Sequence, residues 1–336
     1  MAEIQLQQTE TVTENFVGGF NVLPREIFIE ILNSVADVRS LARCRCVNRR
    51  FASLIPQTET LLLKVDAVIP SQNDGDSFHL QIFPLLHRLV YSLLSMFFHP
   101  PPLWNPHMDD HSTPPFVLLR GFDRIRRLTI ELPTGDPRLA DKGSVLRWRA
   151  ELGKNLRSCV ILASRRMWSG GESAEIGEEE AVAVEEGLKE RVIWTIGALI
   201  AASSRHHMVK ELVKGGIGEG MEEVEVRDRD GEGVVIIETD GIQEWRDEVD
   251  VAVEEEDLGI VKGRTKLPAM RMRMRHCKRL DLGGGIAMEG AVLVIAKAVD
   301  DEDEEVLVRK AFHGVFKCAA KELMKKPSYV LDMNSF

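Results

Sequence analysis

The 336-residue sequence predicts an α+β protein, in which a small three-helix unit precedes a larger domain of antiparallel strands and hairpins with two long helices. Three observations carry that reading. Apolar residues recur at helical spacing in short, capped pieces before residue 56. They alternate with polar residues in several later stretches, and Asp-Gly and Gly-Lys-Asn turns join those stretches into hairpins.

Residues 1–19 are polar and acidic, with neither the basic start nor the apolar run of a secretory signal, and read as a disordered tail. Leu23-Pro24 then opens a helix, because proline is tolerated at the first helical position and Glu26 in the first turn complements the helix dipole. Ile27, Ile31, Leu32 and Val35 share a face of it. Asp37 is suited to cap a second helix carrying Val38, Leu41 and Ala42, and Asn48 a third carrying Phe51 and Leu54 before Pro56 ends it. None of the three is long enough to be stable alone. Residues 20–56 therefore need either a partner or the rest of the chain to bury their apolar faces.

Residues 57–115 read as a connector: a brief apolar stretch, an apolar helix at 82–98 and the Pro-rich loop "HPPPLWNPHMDDHSTPP". Pro84, His87 and Arg88 interrupt that helix, leaving less than the ~20 residues a bilayer needs, so no membrane association is expected. The larger domain spans 116–336. "RIRRLTIEL" alternates as a strand, and "VLRWRAELGKNLRSCVIL" reads as two strands around Gly-Lys-Asn. After an acidic loop at 169–186, Val192, Ile193, Ile196, Ile200, Met208 and Leu212 mark a long helix that Gly215-Gly216 stops. Val224 and Val226 lead into an Asp-Gly turn and a Val-Val-Ile-Ile strand, the strongest hairpin signal in the chain. "MRMRMR" at 270–275 predicts a strand with its methionines inward and Arg271, Arg273 and Arg275 outward. "GAVLVIAKAV" is a further strand, "VLVRKAFHGVFKCAAKELMKK" an amphipathic closing helix, and the tail after Pro327 an edge strand. A leucine-rich-repeat-like horseshoe is the alternative, suggested by "LTIEL", "CVIL", "VEVRD" and "LDLGGG". The spacings of those segments lack the fixed period a solenoid requires.

Composition narrows the function. A formal net charge of -10 argues against broad nucleic-acid binding, which needs a basic excess. Five scattered cysteines fit free thiols of an intracellular protein, in nucleus or cytoplasm, better than a disulfide framework. Cys44 and Cys46 lie two apart near a helix end, where their side chains diverge and no further ligands stand close. They read as packing residues rather than a metal site. His206-His207 has no metal-ligand frame. "DLGGGIAMEG" has Met288 where a dinucleotide fingerprint needs glycine and reads as a turn. No catalytic constellation, metal site or cofactor site emerges, so an enzyme is not expected.

Leu-Pro, Ile-x-x-x-Ile-Leu, Asp-Val-x-x-Leu, Arg-Cys-x-x-Val and Phe-x-x-Leu, in that order over about 35 residues, resemble an F-box. Later segments, among them "LLRGFDRIRRLTIELPTGD", "LRSCVILASRR", "KERVIWTIGALIAASSRHHMVKEL", "RMRMRHC" and "VLDMNSF", resemble the plant subfamily that includes the auxin up-regulated F-box proteins. Asn48 stands where the family often has Ser or Cys and Phe51 where it often has Trp, changes that keep a cap and an aromatic anchor.

The resemblance implies a non-catalytic substrate receptor of an SCF-type ubiquitin ligase in plant hormone signalling. It would dock on a Skp-family adaptor held by a cullin and present an unknown target protein. Leu23, Pro24, Ile27, Ile31, Val47 and Phe51 would contact the adaptor, with Leu32, Leu41 and Leu54 supporting the helices. The Arg271, Arg273, Arg275 stripe is a candidate target-binding surface. An F-box scaffold acting outside a ligase is the alternative.

Overall fold

The computed structural model describes residues 23–65, 115–133, 144–169, 182–214, 220–249, 265–298 and 303–335. The apolar helix expected at 82–98, residues 170–181 of the acidic loop and the Gly215-Gly216 stop lie outside the described residues, while 182–186 of that expected loop are already helical. Three short helices come first: α1 (Arg25–Val35), α2 (Val38–Arg45) and α3 (Arg49–Leu54). Ten strands follow, β1 (Thr60–Lys64), β2 (Arg127–Leu132), β3 (Val145–Leu152), β4 (Leu156–Ser164), β5 (Arg166–Ser169), β6 (Glu223–Asp228), β7 (Gly233–Glu238), β8 (Met270–Gly283), β9 (Ile286–Lys297) and β10 (Ser328–Met333). Between them lie α4 (Val182–Lys214), α5 (Thr239–Val249), α6 (Glu304–Ala311) and α7 (Gly314–Met324).

All ten strands form one sheet in the order β1-β2-β6-β7-β3-β4-β9-β8-β10, with β5 pairing β9 beside that path. The α+β class holds. The sheet is mixed, however, where the sequence reading expected antiparallel pairing throughout: β1–β2, β2–β6 and β3–β7 are parallel. A parallel neighbour requires a long connection, and the chain between β2 and β6 contains the β3–β4 hairpin and α4. Turn residues reveal hairpins and are silent about such returns. The four segments that suggested a horseshoe fall in β2, β4, β6 and β8, of which only β2 and β6 are neighbours.

Alternation along β9 builds two cores. Val292, Val294 and Ala296 point into the larger one with α4 and the N-terminal helices, while Leu293 and Ile295 face α6 and α7. The phase switches at Gly290, whose φ of 61° places Met288 on the same side as Leu293. Helices thus cover both sheet faces.

The long helix α4 is nearly encircled by protein from Ala198 to Arg205, and two buried polar residues fix it. Arg205, 5% exposed, donates to both Asp228 oxygens at 2.7 and 2.8 Å and lies 4.5 Å over the Trp148 ring. His206 is fully buried, its Nε2 2.9 Å from the Gly153 carbonyl and its Nδ1 2.8 Å from the Thr265 hydroxyl. A carbonyl only accepts, so Nε2 carries the proton. Trp245 donates to the same carbonyl at 3.0 Å, locking the Gly-Lys-Asn turn.

The closing helix is two helices rather than one. Phe312 leaves helical geometry (φ −129°, ψ 150°) to bury its ring in the smaller core, and Gly314 begins α7 with φ 55°. Consequently α4 is the one helix of such length among the described residues. Residues 60–64 within the apolar connector form β1, which makes the N-terminal helices continuous with the sheet.

Candidate functional site

Pro24 precedes the helix at the capping position, one residue earlier than the sequence reading placed it, and its carbonyl accepts from Phe28 at 3.1 Å. Asp37 caps α2 by accepting from the Ser40 amide at 2.9 Å and the Ser40 hydroxyl at 2.6 Å. Partial burial works against its charge, yet the two Ser40 bonds with the nearby Lys64 and Arg39 charges outweigh it and hold the carboxyl below its usual range. Asn48 caps α3 through Phe51 N–H at 2.9 Å. Between α1 and α2 the chain turns at Ala36, whose φ of 53° is the one left-handed non-glycine among the described residues.

Helix α1 has two apolar stripes one residue apart. Phe28 and Leu32 point inward, 1% and 3% exposed, and join Val38, Leu41, Leu54 and Leu61 in the larger core. Ile27, Ile31 and Val35 stand outward at 44%, 36% and 45% exposure. The sequence reading put Leu32 on one face with Ile27, Ile31 and Val35; the structure separates it, because i and i+1 lie about 100° apart on a helix. Phe28, which that reading did not single out, is signalled by its i,i+4 partner Leu32. Val47, 69% exposed in the turn between α2 and α3, extends the outward surface.

Leu23 and Phe51 are half-buried against the core and Pro24 is exposed. Phe51 meets Phe28 edge to face at 4.9 Å, and Arg50 lies over the Phe28 ring at 5.0 Å while donating to the Leu23 carbonyl. Arg50 thereby holds the start of α1 against α3. The whole unit is fastened to the sheet: the Asn33 side chain accepts from the Glu59 and Thr60 amides at 2.8 and 3.2 Å, and Leu62 donates to the Ala36 carbonyl at 2.8 Å. Neither Arg50 nor Asn33 follows from an apolar pattern, since each works through long-range polar contacts.

The remaining sequence candidates are elsewhere. Arg271 pairs with Asp332 of β10 at 3.1 Å, and Arg273 and Arg275 both pair with Glu304 of α6 at 3.0 and 2.9 Å. Arg275 is 7% exposed, which corrects its expected outward position: α7 packs on β8 and Glu304 at the start of α6 pairs with the guanidinium. Cys44 packs on the core, Cys46 is exposed, and burial pushes the Cys159 thiol up to about 12, leaving it inert. Among the described residues, no group of three or more His, Cys, Asp or Glu is placed to hold a metal. No helix among them is long and apolar enough to cross a membrane.

A family model described as F-box-like matches residues 20–61, so the match runs through α1–α3 into β1. F-box proteins AUF1 and AUF2 of Arabidopsis thaliana are each 39% identical, over 95% and 94% of this chain and 100% and 99% of their own lengths. F-box protein At4g18380 of the same plant is 33% identical over 95% of this chain and 94% of its own length. No solved structure matches the chain. With the three-helix unit, its capped turns and nearly full-length similarity to these relatives in hand, the chain belongs to the plant F-box proteins, in the auxin up-regulated subfamily.

Proposed function

We propose that this protein is the substrate-recruiting subunit of an SCF-type ubiquitin ligase. Its F-box docks on a Skp-family adaptor held by a cullin, and its sheet domain presents a target protein for ubiquitination in plant hormone signalling. It performs no chemistry itself and acts by raising the concentration of target beside the ubiquitin donor.

The observation that carries the reading is the division of labour on α1. Phe28 and Leu32 satisfy the fold, so Ile27, Ile31 and Val35 are not needed for packing and remain exposed together with Val47. Nothing among the described residues covers that stripe, which supports its use as a protein interface. Burying those four side chains contributes on the order of 1 to 2 kcal/mol each, enough for micromolar affinity after association costs. Leu23 and Pro24, held by Arg50, form the leading end of the same surface.

The test is a pull-down of the purified chain with a Skp-family adaptor and cullin, comparing wild type with Leu23→Ala, Pro24→Ala. Assembly by the wild type and its loss in the variant, with unchanged circular dichroism, is the expected result. Equal recovery of both would remove these residues from the interface, and no assembly by the wild type would overturn the ligase reading.

A further inference from the structure

The exposed large apolar residues among the described ones fall into three groups: the α1 surface, the first half of α4 (Leu188, Val192, Ile193, Ile196) and β10 (Tyr329, Val330, Leu331). The α4 group offers side chains alone. The β10 group adds a backbone. This strand is last in the sheet order and pairs only with β8, antiparallel, from Ser328↔Arg275 to Met333↔Met270. Its outer row of N–H and C=O groups has no neighbouring strand among the described residues, and five of its six residues are exposed.

Edge strands are usually blunted by brevity, charge, proline or a covering element. Here Tyr329, Val330 and Leu331 are 59%, 51% and 46% exposed, and the one charge in the strand, Asp332, is paired with Arg271. Proline stands before the strand at Pro327, outside the ladder. The inner side is firmly made: Tyr329 stacks on His276 at 5.7 Å with the rings within 5° of parallel, and Met333 packs on the larger core. The strand is paired to β8 along its whole length.

We propose that β10 is the target-docking edge, recruiting an extended segment of the substrate protein as an eleventh strand. This deepens the ligase-receptor reading and rests on it for the identity of the occupant as a target. An antiparallel segment would bring its C-terminal end to the start of β10, where Lys325 and Lys326 are exposed and the Lys326 ammonium has no ion pair among the described residues. The ligand chemistry follows: five or six extended residues, apolar at alternate positions, ending in Asp or Glu. A second copy of this chain fits less well, since the one acid of its own strand, Asp332, is already paired with Arg271. Backbone pairing would supply affinity, and the alternate side chains against Tyr329 and Leu331 specificity.

A random twelve-residue peptide display library, selected on the intact chain and counter-selected on Val330→Lys, Leu331→Lys, provides the probe. Enrichment of peptides with alternating apolar residues and a C-terminal acid is expected. The best peptide is then made in two versions, N-methylated at alternate residues in opposite phase. Strand pairing requires that one phase abolishes binding and the other leaves it within about threefold. Lys326→Glu is expected to weaken binding at least fivefold, with recovery when the peptide acid is changed to lysine. No enrichment, or equal tolerance of both methylation phases, overturns the proposal. So does sedimentation showing a concentration-dependent dimer that the double lysine variant dissolves, since a second copy is then the occupant. Adaptor pull-down with the same variant separates the two claims: it is expected to be unchanged, and peptide binding by Leu23→Ala, Pro24→Ala likewise.

Discussion

The two ends of the sheet are treated in opposite ways. At β1 the chain covers its own edge: Leu62 bonds to Ala36, Asn33 holds the start of the strand, and α1 and α2 seat Phe28, Leu32 and Leu41 beside Leu61. At β10 nothing among the described residues lies on the outer side, and three consecutive apolar residues face solvent. Eight spacings of about 4.8 Å put roughly 38 Å of sheet between these edges. The difference teaches that the F-box here has two jobs. Its inner stripe terminates a sheet, and its outer stripe is, in the proposed function, left for a partner. An adaptor bound to the outer stripe and a segment bound at β10 would be held apart by one rigid, doubly covered layer.

The sharpest way to break this comparison lies on α1 itself. Phe28→Ala should cost about 3 to 5 kcal/mol of stability, the range for a large buried aromatic, and expose β1 with it. Ile27→Ala should cost under about 1 kcal/mol and weaken adaptor binding instead. Chemical denaturation of both variants checks this, and equal destabilisation would deny that the two stripes have separate roles.

A second prediction concerns the layer between the edges. Burial first, then Asp228 and Asp230, push the Glu232 carboxyl up to about 7. Its folded value lies above the unfolded 4.5, so the native state binds the proton more tightly and stability falls as pH rises from about 4.5 to 7, then levels. Glu232→Gln should therefore gain on the order of 2 to 3 kcal/mol at pH 8 and nothing at pH 4. Urea midpoints at the two pH values read this out. A gain that does not vary with pH would contradict the assignment.

The smallest expected effect sharpens the covered edge. Asn33→Ala leaves the Glu59 and Thr60 amides without their acceptor and should cost about 1 to 2 kcal/mol. Hydrogen exchange should speed at residues 60–64 and not at 328–333. Uniform speeding would show that Asn33 is not specific to the β1 edge.

How far the chain was legible follows from which interactions are local. Helix caps at Asp37 and Asn48 and the 153–155 and 230–231 turns are written within a few residues, and each stands where the sequence reading placed it. Met270 and Met274 face the larger core as their alternation required. What could not be read is long-range. Parallel neighbours such as β2 and β6 leave no turn between them. Arg275 alternates like an exposed residue until Glu304, twenty-nine positions later, arrives to bury it. Within the F-box, hydrophobicity alone did not tell which of Ile31 and Leu32 faces the core, because both are apolar and only the sheet on one side decides.

Hydrogen exchange of the intact chain with and without a Skp-family adaptor tests the central claim most directly. The account predicts slowed exchange confined to α1 and the Val47 turn, with residues 328–333 unchanged. Protection at β10 on adaptor binding, or none at α1, would contradict the assignment of the two surfaces to two different partners.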